Sequence, residues 1–153
     1  MNRLRCSHGI RRLALLLLLV AQCATPARAE QRQFGRYDVY FSVFAADFLR
    51  PETAQALGIV RAPDRAVLNI SIRRRYEGRP GDEPVSARVE GTLGDLIRKT
   101  ALEFRLVQEE GAVYYLAQFP FRDGETHYVE LTIQPVGEAQ ALDLRFEKTL
   151  YVN

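Results

Sequence analysis

Hydrophobic and polar residues alternate in seven short runs between Tyr37 and Glu147. Because alternation with a period of two places successive side chains on opposite faces of a strand, each run predicts a strand with one apolar face. In the second run, for example, Leu68, Ile70 and Ile72 share one face. The seven runs cover residues 37–45, 66–76, 85–90, 102–106, 113–121, 129–133 and 142–147. This pattern is typical of antiparallel sheets that share one core.

Turn-forming residues separate these runs and support the same fold class. Glu109–Gly111, Asp123–Gly124 and Pro135–Glu138 predict hairpin connections, and Gly78–Asp82 predicts a long loop after the second strand. Strands and turns at this spacing favour an all-β fold, an antiparallel, immunoglobulin-like β-sandwich of about seven strands. A small barrel is the alternative.

One segment departs from the alternation and predicts a short helix after the first strand. Pro51 suits the first position of a helix, where its missing N–H costs nothing, and Glu52 complements the positive end of the helix dipole. Gly58 can adopt the left-handed conformation that ends helices. Because a helix of two turns is marginal alone, we expect Ala54 and Leu57 to pack it against a sheet.

The first 29 residues have the organisation of a secretory signal peptide. Arginines precede the apolar run Leu13–Ala21, which is shorter than the roughly 20 residues needed to span a bilayer. Ala27 and Ala29 occupy the positions that a signal peptidase reads. We therefore expect cleavage after Ala29, one domain over residues 30–153, a periplasmic location and no transmembrane anchor after cleavage. Lipidation of Cys23 is the alternative.

Removal of this leader changes the composition of the remaining domain. Residues 1–29 hold five of the 21 basic side chains and none of the 19 acidic ones, so residues 30–153 have a net charge near −3. This charge gives no support to a nucleic-acid partner. Cys6 and Cys23 both lie in the leader, so we expect a cysteine-free mature domain without a disulfide, a thiol nucleophile or a thiolate metal site.

The helical segment and its flanks form a distinctive pattern. It runs through Asp47–Arg61 and Arg65–Ser71, with Phe-Leu, Pro-Glu, Gly-Ile and Asn-Ile-Ser as its most specific parts, and continues in Gly111–Tyr115. This pattern resembles a family of exported proteobacterial proteins known as domain of unknown function 4426. The resemblance extends over essentially the whole chain after the leader. It implies a periplasmic β-rich domain and implies no activity.

His127 is the single histidine of residues 30–153 and the main candidate for catalysis. With a neighbouring carboxylate it could act as a general base, and a small hydrolase-type enzyme is therefore an alternative function. A lone histidine cannot complete a zinc site, which takes about three or four protein ligands. In the alternation, His127 falls on the same, core-facing side of the strand as Val129. This position predicts a partly buried structural histidine. We therefore predict no catalytic residue, no metal and no cofactor.

The aromatic residues are candidates for binding. Four of them alternate with the core-facing residues and therefore point outward from their strands: Tyr40, Phe44, Tyr114 and Tyr128. They would form an exposed aromatic face if they align across strands. Cross-strand pairing, or cover by the helix, would also explain them. Pro120 within a strand pattern suggests an edge or a bulge, and an edge strand could accept a strand from a partner.

Arg73–Arg75 is the only run of basic residues after the leader. We expect it to be a solvated strand end. The alternative is a contact with an anionic ligand, formed together with Arg61 and Arg65.

The sequence thus favours a non-catalytic module that contacts a ligand or another periplasmic or envelope protein. The candidate contacts combine the family-like segment with the aromatic face and are Phe48, Leu49, Pro51, Glu52, Arg61, Asn69 and Tyr114. A structural role competes with this hypothesis, because Phe48 and Leu49 could anchor the helix and Asn69 could cap a turn. A small-molecule carrier is a further alternative, although the core side chains should fill the space between the sheets. The sequence does not give an oligomeric state.

Overall fold

The computed structural model describes residues 29–95 and 97–152, in which ten strands form two antiparallel sheets. Helix α1 (Pro51–Leu57) follows a 3-10 turn at Ala46–Phe48. The strands are β1 (Glu30–Phe34), β2 (Tyr37–Ala45), β3 (Arg65–Tyr76), β4 (Arg79–Pro84), β5 (Ala87–Gly94), β6 (Lys99–Ala101), β7 (Arg105–Glu109), β8 (Ala112–Pro120), β9 (Glu125–Pro135) and β10 (Leu142–Leu150). The structure confirms the expected all-β sandwich with one short helix. It has ten strands rather than about seven, and the helix follows the second strand, because β1 precedes the strand predicted as the first.

The first sheet has the strand order β1-β2-β3-β8-β7, and the second has the order β10-β9-β5-β6. In the first sheet, β2 pairs along one side of β3, whereas the other side of β3 is shared by two partners. Residues Arg65–Ile70 of β3 pair with β8, and residues Arg73–Tyr76 pair with β4. Strand β7 pairs with β8 only as far as Leu116, so residues 117–120 of β8 have one open side. Pro120 therefore ends a locally open edge, as its position suggested.

The core lies between the inner faces of the two sheets. Phe41, Ile70 and Ile72 from the first sheet meet Ile133 and Leu144 from the second, and all five are buried. Full burial of each such side chain contributes about 1.5–3 kcal/mol to stability. The alternation seen in the sequence thus corresponds to the division between the core and the outer faces.

Three strands and one connection differ from the prediction. The predicted loop Gly78–Asp82 is wrong, since Arg79–Pro84 forms β4 and pairs with β3. Strands β1 and β6 were not predicted; they are exposed along almost their whole length and so show no apolar alternation. The predicted strand 102–106 is wrong in its first half, because residues 102–104 connect β6 of the second sheet to β7 of the first.

The three predicted hairpins have different outcomes. Glu109–Gly111 joins the paired strands β7 and β8, and Pro135–Glu138 begins the connection between the paired strands β9 and β10. Asp123–Gly124 is not a hairpin, because β8 and β9 belong to different sheets. This turn instead carries the chain from the first sheet to the second.

Helix α1 forms as predicted. Pro51 stands at its start, and Gly58 ends it with a left-handed backbone (φ 62°). Ala54 is buried and Leu57 is half-buried, so these two residues hold the helix as expected. No helix within residues 29–95 and 97–152 is long and apolar enough to cross a membrane. The expected signal peptide and the alternative lipidation site Cys23 lie outside the described residues, apart from Ala29.

Candidate functional site

A small apolar pocket lies between α1 and the outer face of the first sheet, with a volume of about 220 Å³. We call it the α1 pocket. The helical segment contributes Leu49, Leu57 and Ile59, and the sheet contributes side chains from β2, β3, β7 and β8. The sheet residues are Phe44, Val67, Asn69, Val107, Glu109, Tyr114 and Leu116. The pocket thus combines a mainly apolar lining with one amide, one phenol and, at Glu109, one carboxylate.

Local hydrogen bonds hold the helical segment over the sheet. The left-handed Gly58 turns the chain back so that Ile59 reaches the sheet, and Ile59 N donates to Ala54 O at 2.8 Å. The Arg105 guanidinium of β7 donates to the Leu57 carbonyl, one of the free carbonyls at the helix end. The first bond fixes the end of the helical segment, and the second connects this segment to the edge strand β7.

Asn69 is the unusual residue of the pocket. It lies on the outer face of β3, opposite Ser42 of β2 and Leu116 of β8. Its Oδ1 atom is buried and has no hydrogen-bond partner among the described residues. A buried acceptor left unpaired costs about 1–3 kcal/mol, and buried polar groups are nearly always paired. The amide is therefore suited to meet a donor that the described residues do not supply.

The structure brings together three of the seven candidate contacts. Leu49, Asn69 and Tyr114 all line the α1 pocket. Phe48 is 70% exposed and does not line it. Pro51 and Glu52 are exposed on the first turn of α1.

Arg61 does not line the pocket either. Its Nη2 donates to the Asp47 carbonyl at 3.0 Å, which ties the chain after α1 to the 3-10 turn before it. This contact gives Arg61 a role in positioning the segment that covers the pocket.

The four aromatic residues on the outward-facing side of their strands do not align into one face. Tyr40, Phe44 and Tyr114 belong to the first sheet, whereas Tyr128 lies on β9 of the second sheet and is 39% exposed. Phe44 and Tyr114 are half-buried and line the pocket beside α1. The four residues therefore do not form one exposed aromatic face, and the alternative, cover by the helix, accounts for Phe44 and Tyr114.

The basic run is also different from the expectation. Arg73–Arg75 are half-buried rather than solvated. Arg73 Nε lies 2.6 Å from Asp82 Oδ1, and Arg75 Nε lies 2.7 Å from Asp38 Oδ2. Arg74 donates to the Tyr76 hydroxyl. These contacts neutralise Arg73 and Arg75 within the sheet, so neither is a free site for an anion.

A second and larger cleft, of about 640 Å³, opens between the sheets beside His127. We call it the His127 cleft. His127 is only 5% exposed and packs edge-on against Phe119, with ring centroids 5.5 Å apart. The histidine thus faces the core side, as predicted, but it stands at an opening that the sequence did not indicate. Burial lowers the pKa of His127, and the nearby Glu125 raises it by a smaller amount.

The His127 cleft has no serine in its lining. Ser42, Ser71 and Ser86 do not line it, and Ser71 Oγ donates to the Val113 carbonyl on the first sheet. Glu125 Oε2 is 3.6 Å from His127 Nε2, beyond hydrogen-bond distance. In the part of the chain that the structure describes, no group of three His, Cys, Asp or Glu residues could hold a metal ion.

Together, the sandwich and the α1 pocket define an all-β domain with a lateral apolar pocket. The chain belongs to the DUF4426 family, because residues 31–153 match the family described as "Domain of unknown function (DUF4426)". A crystal structure of a DUF4426 family protein from Pseudomonas aeruginosa is similar, with 36% sequence identity and a TM-score of 0.69. That similarity covers 82% of this chain and 96% of the other.

More distant structures share the fold alone. FetP from a uropathogenic strain of Escherichia coli is 13% identical, with a TM-score of 0.56 over 80% of this chain and 93% of that one. A copper-bound variant of FetP is also 13% identical, with a TM-score of 0.55 over 84% and 92% of the two chains. No curated protein matches this chain.

Proposed function

We propose that this protein is an exported, non-catalytic binding module that takes an apolar side chain of a partner protein into the α1 pocket. The observation that carries the proposal is the buried and unpaired Oδ1 of Asn69 within this mainly apolar pocket. An apolar side chain with one donor, such as the indole of tryptophan, would match both features. The partner is then a protein that reaches the same compartment.

The size of the pocket favours a side chain over a free small molecule. Sites for small molecules usually measure about 300–1,000 Å³. The α1 pocket measures about 220 Å³. A dry apolar cavity of about 150 Å³ already accommodates a benzene ring. One aromatic side chain is therefore the better fit.

The open edge of β7 supports an extended partner segment. In the described part of the first sheet, β7 is the last strand, and most of its residues are exposed. Such an edge presents unpaired N–H and C=O groups, to which an extended peptide can add as a further strand. Val107 and Glu109 of β7 also line the α1 pocket, so a peptide on this edge would run beside the pocket.

Copper binding does not form part of the proposal, although the distant neighbour FetP has been seen with copper bound. After the leader this chain has one histidine, no cysteine and no methionine. Its described residues contain no set of three His, Cys, Asp or Glu side chains that could hold a metal. The donors present therefore do not fit a copper site.

A photo-crosslinking experiment tests the proposal. A benzophenone amino acid replaces Glu109, which is exposed at the rim of the pocket, and the exported protein is irradiated in the cells that produce it. We expect an adduct whose mapped position in the partner lies beside an aromatic residue of an extended segment. The Val107→Asp change should reduce the adduct about tenfold or more, because it places a charge where the anchor would bind.

Leu106→Asp is the matched control. Leu106 lies on the same strand as Val107, is 48% exposed and has its side chain on the opposite face. The Leu106→Asp protein should give the same amount of adduct as the protein without this substitution. Equal loss with both substitutions, or no loss with Val107→Asp, would rule out the α1 pocket as the binding site.

A further inference from the structure

The His127 cleft has a second, independent set of features that point to a ligand. Its apolar lining comes from both sheets and consists of Leu93, Leu102, Phe119 and Phe121. Its polar lining has more carboxylates than guanidinium groups: Asp64, Asp95, Glu103 and Glu125 against Arg98 and Arg122. The described residues contain no ion pair within 4.0 Å between these acidic and basic side chains. The cleft is therefore a partly apolar space with a net negative lining.

An unpaired imidazole nitrogen of His127 indicates what kind of ligand group the cleft would bind. Its Nε2 atom is buried and has no hydrogen-bond partner among the described residues. The nearest carboxylate oxygen, Glu125 Oε2, is 3.6 Å away, which is too far for a direct hydrogen bond. Both atoms can act as acceptors when the imidazole is neutral and the carboxylate is charged. One N–H donor group that lies against both atoms would satisfy them together.

The position of Glu125 is fixed by the fold. Its Oε2 accepts the Arg122 backbone N–H at 2.9 Å, and its own backbone N–H donates to the Arg122 carbonyl at 3.0 Å. These bonds hold the carboxylate at the turn that joins the two sheets. His127 is held in turn by the Phe119 ring and by the pairing of β9 with β10. The two acceptors are thus positioned before any ligand binds.

We propose that the His127 cleft binds a primary ammonium group carried on a small apolar body, with the ammonium beside both His127 Nε2 and Glu125 Oε2 and within hydrogen-bond distance of each. An ammonium group has three donors and a positive charge, which match two acceptors and an acidic lining. The apolar body would lie against Phe119 and Leu102. The volume of about 640 Å³ is in the range of small-molecule sites, which is about 300–1,000 Å³.

Benzylamine is a suitable probe, because it joins one ammonium group to one aromatic ring. The full chain contains only two histidines, His8 in the leader and His127, so the imidazole proton signals in an NMR spectrum are easily assigned. With the protein purified after export, we expect benzylamine to shift the His127 signal in a saturable manner. Benzyl alcohol has the same shape without the charge and should give at least about tenfold weaker binding.

Two variants distinguish binding of benzylamine in the His127 cleft from a general electrostatic attraction to the protein. Glu125→Gln should weaken benzylamine binding about tenfold or more, because it removes the charged acceptor. Glu147→Gln removes one negative charge from an exposed position on β10 and should leave binding unchanged. The proposal is overturned if benzylamine gives no saturable shift, if benzyl alcohol binds equally well, or if Glu125→Gln binds benzylamine as tightly as the unmodified protein. A phenylacetate titration that gave the stronger shift would also overturn it.

Discussion

The side-chain amide of Gln118 pairs with the backbone of Val60 in both directions. Its Nε2 donates to the Val60 carbonyl at 2.5 Å, and its Oε1 accepts the Val60 N–H at 3.1 Å. The amide therefore provides both hydrogen bonds that a neighbouring strand would provide, although the chain at Val60 is not in a strand. Through this pair, β8 holds the segment that covers the α1 pocket.

Replacement of Gln118 by alanine should loosen this cover. Each of the two bonds contributes about 0.5–1.5 kcal/mol net, so we expect local amide exchange at residues 54–60 to increase. The global unfolding midpoint should change much less, because Gln118 lies outside the core. Hydrogen-exchange NMR measures the local effect, and denaturant unfolding measures the global midpoint.

Gln108→Ala provides the control, because Gln108 is an exposed glutamine on the adjacent strand β7. It should leave the exchange of residues 54–60 unchanged. An equal increase in both variants would show that the Gln118 amide does not hold the segment.

The pair of Asp38 and Arg75 predicts an asymmetric effect on stability. Asp38 is 4% exposed and its partner side chain is 42% exposed, with 2.7 Å between Oδ2 and Nε. Arg75→Ala leaves a buried carboxylate without its counter-charge, which costs roughly 3–5 kcal/mol in fully buried pairs. Because solvent reaches Arg75, we expect a smaller loss of about 1–2 kcal/mol.

Asp38→Asn should cost less than Arg75→Ala, because the asparagine side chain keeps an oxygen that can accept from Arg75 Nε, and the guanidinium keeps its bond to the Gly35 carbonyl. Urea unfolding of the two variants measures the difference in free energy. The explanation fails if the asparagine variant is the less stable of the two.

The strands with one face in the core could be predicted from the sequence. The predicted first strand, residues 37–45, agrees with β2 at both ends, and the predicted strand 66–76 misses only Arg65 of β3. In these strands the core-facing side chains must be apolar, so the alternation of apolar and polar residues predicts the strand and its inner face. Helix α1 was also predictable, because Pro51 and Gly58 act locally on the backbone.

The edge strands could not be predicted in the same way. Strand β4 contains two prolines and a glycine, has charged residues at its other three positions, and pairs with only one end of β3. One contact that holds it there, between Arg73 and Asp82, joins side chains nine positions apart in the chain. The alternation of apolar and polar residues does not indicate such a contact. The sequence therefore predicts a loop for this segment.

The candidate site was predictable only in part. The resemblance and the parity of the strands pointed to Leu49, Asn69 and Tyr114, which share the α1 pocket. Val107 and Ile59 were not singled out, because their positions depend on where the chain crosses between sheets and on how Gly58 redirects it. The His127 cleft was missed for a similar reason: the turn at Asp123–Gly124 was read as a hairpin, whereas it joins the two sheets.

The pKa of His127 predicts a dependence of stability on pH. Burial lowers this pKa in the folded protein below the unfolded value of about 6.5, so the unfolded state binds the proton more tightly. The contribution of His127 to stability is therefore complete above about pH 6.5 and is lost as the pH falls toward the folded pKa. Thermal unfolding at several pH values, compared with the His127→Gln variant, measures this loss, which should be smaller in the variant.

Glu125 should modulate the same titration. Its charge raises the pKa of His127, so Glu125→Gln should lower the pKa further, whereas Glu147→Gln should leave it nearly unchanged. An NMR titration of the His127 imidazole measures the pKa in all three proteins. A higher pKa in Glu125→Gln would contradict the assignment of Glu125 as the nearby charge.

Gly94 at the end of β5 should not tolerate a side chain. Its backbone lies so close to the turn before β6 that a Cβ would overlap the Arg98 carbonyl oxygen and reach the Lys99 Cα at 3.0 Å. The neighbour is backbone rather than a flexible side chain, so we expect Gly94→Ala to cost more than about 2 kcal/mol. Gly111→Ala is the control, because Gly111 has a left-handed φ of 76° but open space around it, and it should cost about 1 kcal/mol. Denaturant unfolding of the two variants measures both costs, and an equal or smaller cost at Gly94 would mean that the β5–β6 turn can move away from the added methyl group.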